Sequence, residues 1–311
     1  MSGLAARAGF VTIVGRPNVG KSTLANLLVG EKVAIVSDVP QTTRTLIRGI
    51  RNLPGGQLVI VDTPGIHKPR YAMNRCMVAE ATGAMRGVDL ILFMIEAGPS
   101  ASGRAPGAAA GPGPGDRAIL DLLPENGPQV LLVINKVDRV RKDSLLPLID
   151  QVRKLRPFAE ILLTSALTGE NTQGLAERLL GYLPQGPPIF PQEYYTDQQE
   201  RFLAAELIRE KILHHTRQEV PHETCVLIDQ FEETESGLRR IEALILVEKE
   251  SQKGIVIGRD GSLLKTIGTE AREDLERMLD AKVFLQMWVK VKGGWRDDEE
   301  ILRKLGIRRT G

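Results

Sequence analysis

The eight residues Gly15-Arg16-Pro17-Asn18-Val19-Gly20-Lys21-Ser22 fit the pattern G-x-x-x-x-G-K-[ST], and they limit what this chain can fold into. Residues 10–14 before them are strand-like and residues 23–28 after them are helix-like. A strand that turns through glycines into a helix cradles phosphate, because inward backbone N–H groups and the partial positive charge of the helix start both meet the anion. Lys21 would reach the β- and γ-phosphates, and Ser22 would take Mg2+ with Thr23 beside it. A glycine-rich turn that binds nothing would leave both flanks as coincidence.

With 311 residues the chain is long enough for two domains, and 42% hydrophobic with 26% charged residues is the composition of an ordinary globular protein. A formal charge of +2 is too small to announce nucleic-acid binding, so any such reading rests on local features. Cys76 and Cys225 are isolated, which argues against a disulfide framework, and no Cys/His cluster has zinc-ligand spacing. Residues 1–9 lack the apolar core of a signal peptide, and no run approaches the roughly 18 apolar residues of a membrane helix. A cytoplasmic location is expected.

Residues 31–50 are polar and irregular and contain Gln41-Thr42-Thr43-Arg44. A threonine here can complete a Mg2+ shell with its hydroxyl and touch a γ-phosphate with its N–H, contacts that vanish on hydrolysis. Residues 58–61 are an apolar strand ending in Asp62-Thr63-Pro64-Gly65, where Asp62 would anchor Mg2+ and Gly65 would bring its N–H to the γ-phosphate. Residues 89–95 are a continuous apolar run, as in a strand buried on both faces. Residues 98–115 are mostly Gly, Pro, Ala and Ser and are expected to be a flexible insertion.

Residues 130–134 form the next apolar strand and end in Asn135-Lys136-Val137-Asp138. The Asp138 carboxylate accepts two hydrogen bonds from the N1–H and amino group of guanine, a donor pair that adenine lacks. Asn135 would secure the base-binding loops, and the Lys136 stem would lie along the base. Residues 160–164 are the last strand, followed by Ser165-Ala166-Leu167-Thr168-Gly169, whose N–H groups would hold the guanine carbonyl oxygen; a helix over 175–183 closes the domain. Strands alternating with helices give a doubly wound, mostly parallel sheet with its ligand at the carboxyl ends of the strands.

Prolines 184, 187, 188 and 191 make residues 184–196 a stiff linker between a first domain over 1–183 and a second over 197–311. In the second, Phe202, Ala205, Ile208 and Ile212 fall at helical spacing, while residues 241–247 and 283–291 alternate as strands. Between those strands stand the apolar Ile255-Val256-Ile257 and Gly258-Arg259-Asp260-Gly261, then a helix over 269–279. A Gly-x-x-Gly turn in this order of elements suggests a KH module, where Gly258 and Gly261 admit the backbone of a single-stranded nucleic acid. Arg259 would contact phosphate, Asp260 shares the turn, and Lys253, Lys265 and Arg272 are nearby candidates.

With these residues placed, the chain resembles the bacterial Era GTPases over nearly its full length. The phosphate loop, Gln41-Thr42-Thr43-Arg44, Asp62-Thr63-Pro64-Gly65, Asn135-Lys136-Val137-Asp138 and Ser165-Ala166 follow the five nucleotide motifs of that family. Residues 256–261 and Trp288-Val289-Lys290-Val291-Lys292-Gly293-Gly294-Trp295 look like its KH domain and C-terminal segment. The resemblance implies an α/β fold, a Ras-like G domain followed by a smaller α+β KH domain of type II. It implies a monomer that hydrolyses GTP with Mg2+ and binds the 3′ end of 16S ribosomal RNA during maturation of the small ribosomal subunit. Peripheral association with the inner face of the plasma membrane is a further implication.

Two features bear on the chemistry. The 98–115 stretch is expected to exceed the usual connection in the family. Ile66 stands where Ras-like switches place a water-positioning glutamine, and His67, a residue of a polar loop, is a weak substitute. Asn18, Lys21, Thr43 and Gly65 are therefore the catalytic candidates: backbone groups would hold the water, and Asn18 would help bind K+, as the resemblance suggests. A second reading stays open, an RNA-binding protein whose nucleotide is a sensing or structural ligand with negligible turnover.

Overall fold

A computed structural model describes residues 6–98 and 112–307. By compactness the chain divides into a unit of Met1–Ala34, Thr43–Pro69 and Met77–Asp197, and a unit of Ile35–Thr42, Arg70–Cys76 and Gln198–Gly311.

In chain order the first unit begins with β1 (Arg7–Gly15), α1 (Lys21–Val29), β2 (Ile47–Leu53) and β3 (Gly56–Asp62). Helix α2 (Ala72–Gly83) passes from one unit to the other between Cys76 and Met77. There follow β4 (Leu90–Glu96), α3 (Pro114–Leu120), β5 (Gln129–Asn135), α4 (Leu145–Arg153), β6 (Glu160–Leu163) and α5 (Leu175–Leu180). The strands form one sheet in the order β2-β3-β1-β4-β5-β6, with β2 antiparallel and the others parallel. β4 and β5 are apolar along almost their whole length and are buried residue after residue, so both of their faces are shut away from water. The order reverses direction about β1, which lies between β3 and β4, so the carboxyl ends at Gly15 and Asp62 open on the crevice where such sheets bind ligands.

Three expectations change here. β2 lies partly within the 31–50 stretch expected to be irregular. Pro114 and Gly115, expected in the flexible insertion, begin α3, with Pro114 in the first turn where its missing N–H costs no hydrogen bond; residues 99–111 of that insertion lie outside the described residues. The 184–196 stretch, expected as a stiff linker between domains, is laid along the first unit. Ala8 donates to Pro184 O at 3.2 Å, Ile50 to Tyr195 O at 2.8 Å, and the buried Gln57 side chain accepts from the N–H groups of Ile189 and Phe190 at 2.8 and 2.9 Å.

The second unit contains α6 (Glu200–His215), β7 (Thr224–Glu233), β8 (Arg239–Val247), α7 (Glu250–Ile257), α8 (Ser262–Leu279), β9 (Val283–Val291) and α9 (Glu299–Lys304). Its sheet runs β7-β8-β9, the first pair antiparallel and the second parallel. One face carries the core, in which Ala204, Ile208 and Ile212 of α6 meet Ile241 and Ile245 of β8, Val256 of α7 and Ile267, Ala271 and Leu275 of α8. The apolar 255–257 lead-in is the end of helix α7, and α8 starts seven residues before the expected 269. Past β9, Trp295 is fully buried and donates from Nε1 to Glu223 O at 3.0 Å. Among the described residues no helix is long and apolar enough to cross a membrane.

Candidate functional site

At the carboxyl end of β1 the chain turns through Gly20, at φ 103°, into α1. That conformation favours glycine, and a Cβ there would also lie 2.2 Å from the Asn135 amide nitrogen. Asn135 is itself a knot of hydrogen bonds. Its Nδ2 donates to Val19 O at 2.8 Å, and its Oδ1 accepts from Ala166 N at 2.9 Å and from the Thr164 hydroxyl at 3.3 Å. One side chain thus ties the phosphate loop to both base-side loops.

The three residues expected around a metal meet. Ser22 Oγ donates to Asp62 Oδ2 at 2.6 Å, Thr43 Oγ1 donates to the same oxygen at 3.2 Å, and the two hydroxyls are 2.9 Å apart. The other oxygen of Asp62, Oδ1, is buried without a hydrogen-bond partner. A fully buried carboxylate with an unsatisfied oxygen, flanked by two hydroxyls, fits a hard cation. Burial raises the Asp62 pKa, offset in part by Lys21 and by the hydrogen bonds from Ser22 and Thr43. Burial likewise lowers Lys21 to about 8, against the pull of Asp62. Its ammonium is held by Arg16 O at 2.9 Å and Gly15 O at 3.3 Å, where anionic oxygens would meet it.

The Asp62-Thr63-Pro64-Gly65 segment abuts the loop. Thr63 Oγ1 donates to Ile13 O at 2.7 Å, and a Cβ on Gly65 would stand 2.7 Å from the backbone of Pro17, so only glycine allows this approach. Ile66 belongs to the hydrophobic core and its N–H goes to Gly15 O at 3.2 Å, so neither group faces the site. His67 is half-buried with Nδ1 against Lys68 O. Asn18 is exposed at φ 62° on the loop's outer turn.

On the base side, Lys136 stands at φ 63° with its ammonium 3.1 Å from Glu96 Oε2. Asp138 is exposed and has no ion pair or hydrogen bond among the described residues, which leaves its carboxylate open to a ligand. In the Ser165–Gly169 loop most amides are engaged: Ser165 N with Glu170 O, Ala166 N with Asn135, Thr168 N with Ser165 Oγ and Gly169 N with Ser165 O. The expectation that these N–H groups together receive a guanine carbonyl narrows to that of Leu167, whose side chain is exposed.

In the second unit Gly258, Arg259, Asp260 and Gly261 form the turn between α7 and α8. Gly258, Asp260 and Gly261 stand at φ 74°, 50° and 75°, and a Cβ on Gly258 would sit 2.7 Å from Leu263 Cβ, while Gly261 faces open space. Arg259 and Asp260 are exposed at the tip. Lys253 lies half-buried on α7, and Lys265 and Arg272 share an exposed face of α8 about 10 Å apart at 1.5 Å per residue. Arg272 is also paired with Glu276 at 3.5 Å. The exposed Ile255 gives the turn an apolar neighbour.

Some site residues escape sequence reasoning. Asn26 accepts at Oδ1 from Val33 N and Ala34 N at 3.0 and 2.9 Å and so fixes the chain leaving α1. Asp116, almost fully buried, accepts from Arg16 Nε at 2.7 Å. Within the second unit the buried Arg209 donates to Thr42 O, and the buried Glu210 accepts from Val36 N at 3.0 Å. The only signal available for these last two was charge on a helix face that also carries core residues.

The family described as 50S ribosome-binding GTPase matches residues 10–136, and the KH domain family matches residues 219–296. The GTPase Era of Syntrophus aciditrophicus is 48% identical over 301 residues, which is 96% of this chain and 95% of the relative. That of Geobacter sp. is 47% identical over 300 residues, 96% of this chain and 97% of the relative. Among solved structures, an Aquifex aeolicus Era variant bound to GDP.AlF4- aligns with a TM-score of 0.88 at 40% identity, over 97% of this chain and 100% of that one. Era in complex with MgGDPNP and nucleotides 1506–1542 of 16S ribosomal RNA aligns with a TM-score of 0.89 at 40% identity, over 98% and 100%. With the phosphate loop, the Asp62 cluster and the Gly258–Gly261 turn in place, these matches mean that the chain belongs to the Era GTPases.

Proposed function

We propose that the chain hydrolyses GTP to GDP at the crevice around Lys21 and binds the 3′ end of 16S ribosomal RNA through the Gly258–Gly261 turn, in maturation of the small ribosomal subunit. The observation that carries the reading is the convergence of Ser22, Thr43 and Asp62 beside a buried Lys21. The RNA half rests on the open turn with its flanking cations and on the relative crystallised with MgGDPNP and the 16S fragment.

Ser22 and Thr43 would hold Mg2+ through their hydroxyls, with Asp62 behind them. When bound, Mg2+ supplies positive charge to the β- and γ-phosphate oxygens. Lys21 places its ammonium on the same oxygens, and the low dielectric that depresses its pKa strengthens that attraction. Gly65, packed against Pro17, would present its N–H to the γ-phosphate. With Ile66 packed in the core, no side chain follows Gly65 to orient water, so the attacking water rests on backbone groups of Thr43 and Gly65. Asn18 then gains a role: its carboxamide oxygen on the exposed turn is a hard donor suited to K+, whose charge would stand in for an arginine finger.

Two measurements test this. Gly258→Asp with Gly261→Asp puts carboxylates where phosphates would pass, and is expected to abolish binding of a 16S 3′-end oligonucleotide while GTP turnover stays within about twofold; undiminished binding would sink the KH assignment. Turnover is expected to be faster in K+ than in Na+ for the wild type and equally slow in both for Asn18→Asp; equal wild-type rates would remove the cation.

A further inference from the structure

We propose that Asp116 is a positioning residue for GTP hydrolysis, acting through Arg16 on the first turn of the phosphate loop. The proposal rests on the hydrolytic reading of this site.

The start of α3 is built around the Arg16 side chain. Asp116 is 2% exposed, and a carboxylate that far from water must be paired. Its Oδ1 accepts from Arg16 Nε at 2.7 Å, and its Oδ2 accepts from Gly113 N at 3.0 Å. Gly115 makes room for the rest of the arginine: a Cβ there would lie 2.6 Å from Arg16 Cδ and 3.4 Å from Cγ. Gly115 does not stand at positive φ, so the need is for space and not for an unusual backbone. A residue of the phosphate loop that only bordered the nucleotide would require neither feature.

At its other end Arg16 continues into the part of the loop that meets Lys21 and the Asp62–Ile66 segment. Its carbonyl holds the Lys21 ammonium at 2.9 Å. The next residue, Pro17, is the surface against which Gly65 packs, and Gly15 O receives Ile66 N. Residues 15–17 are thus gripped between the Asp62–Ile66 segment on one side and Asp116 on the other. Release of Arg16 loosens the side of the loop that locates Gly65 and Lys21. The stretch from Val19 into α1, whose amides would cradle the inner phosphates, keeps the Asn135 tie at Val19 O and the hydrogen bond from Leu24 N to Gly20 O. The consequence is asymmetric: hydrolysis and GTP binding suffer, and GDP binding does not. A displacement of even 1 Å at a reacting centre is enough to slow a reaction about a hundredfold.

The test measures kcat, and the affinities of GDP and of a non-hydrolysable GTP analogue, in the full chain. Asp116→Asn keeps an oxygen for Gly113 N and removes the charge that holds Arg16. Gly115→Ala pushes the Arg16 stem aside and leaves every charge in place. Each is expected to lower kcat by about tenfold and analogue affinity by several-fold, with the GDP dissociation constant within about twofold of wild type. In an Arg16→Ala background Asp116→Asn is expected to cost nothing further, because the two residues act as one unit. Equal losses of GDP and analogue affinity, or additive effects of the Arg16 and Asp116 changes, would show a role confined to the fold and overturn the proposal.

Discussion

Asn135 shows how much one residue decides. Its amide satisfies a carbonyl of the phosphate loop and an N–H of the Ser165–Gly169 loop, both shielded from water. Asn135→Ala leaves those groups unpaired, at about 1–3 kcal/mol each in general. A loss of about 2 kcal/mol of nucleotide binding is expected, close to thirtyfold in the GDP dissociation constant by fluorescence titration. Asp138→Ala acts differently: an exposed carboxylate leaves no buried gap, so the GTP-to-ATP preference is expected to collapse with no loss of thermal stability. Competition binding with both nucleotides, beside a melting curve, checks it. Residue types alone pointed to both positions, since each does its work with its own side chain in a short motif. Arg16, Asp116 and Gly115 were not legible together, because a hundred residues separate the two charges and only folding brings them into contact.

Elements were legible where local pattern and burial agree. β4 and β5 are apolar but for their ends and lie where expected. β2 was missed because Arg48, Arg51 and Asn52 mask a strand that needs only one buried face at the sheet's edge. The first two turns of α8 were missed because Gly268 lowers helix propensity by about 1 kcal/mol relative to alanine. A Cβ there would meet only the Met287 methyl carbon on β9, at 2.9 Å, the end of a flexible side chain that can move aside. Beyond β9 the turn at residues 295–297 pins the chain, with Trp295 buried and Arg296 bridging Glu223 at 2.9 Å and Glu248 at 3.0 Å. Trp295→Ala removes the largest fully buried side chain and strands a carbonyl, and is expected to cost about 3–5 kcal/mol. Urea unfolding followed by circular dichroism would show a lower midpoint for the second unit's transition.

For the whole molecule, the expectation is that nucleotide state and RNA affinity are linked. Affinity for a 16S 3′-end oligonucleotide is expected to differ 5- to 150-fold between a non-hydrolysable GTP analogue and GDP, the usual range of such coupling. RNA must then shift the preference between the analogue and GDP by the same factor, and equal RNA affinities in both states would end the idea. The sequence by itself determined the nucleotide chemistry, the doubly wound sheet and the KH turn, because each is encoded by a few contiguous residues whose backbone and side chains act locally. Tertiary structure alone decided that Asp62 keeps a buried oxygen unpaired, that Ile66 belongs to the core, and that Asp116 holds the phosphate loop. Those facts depend on which distant groups are shut away from water together, and the cost of leaving a buried charge unpaired is set by its surroundings and not by its neighbours in the chain.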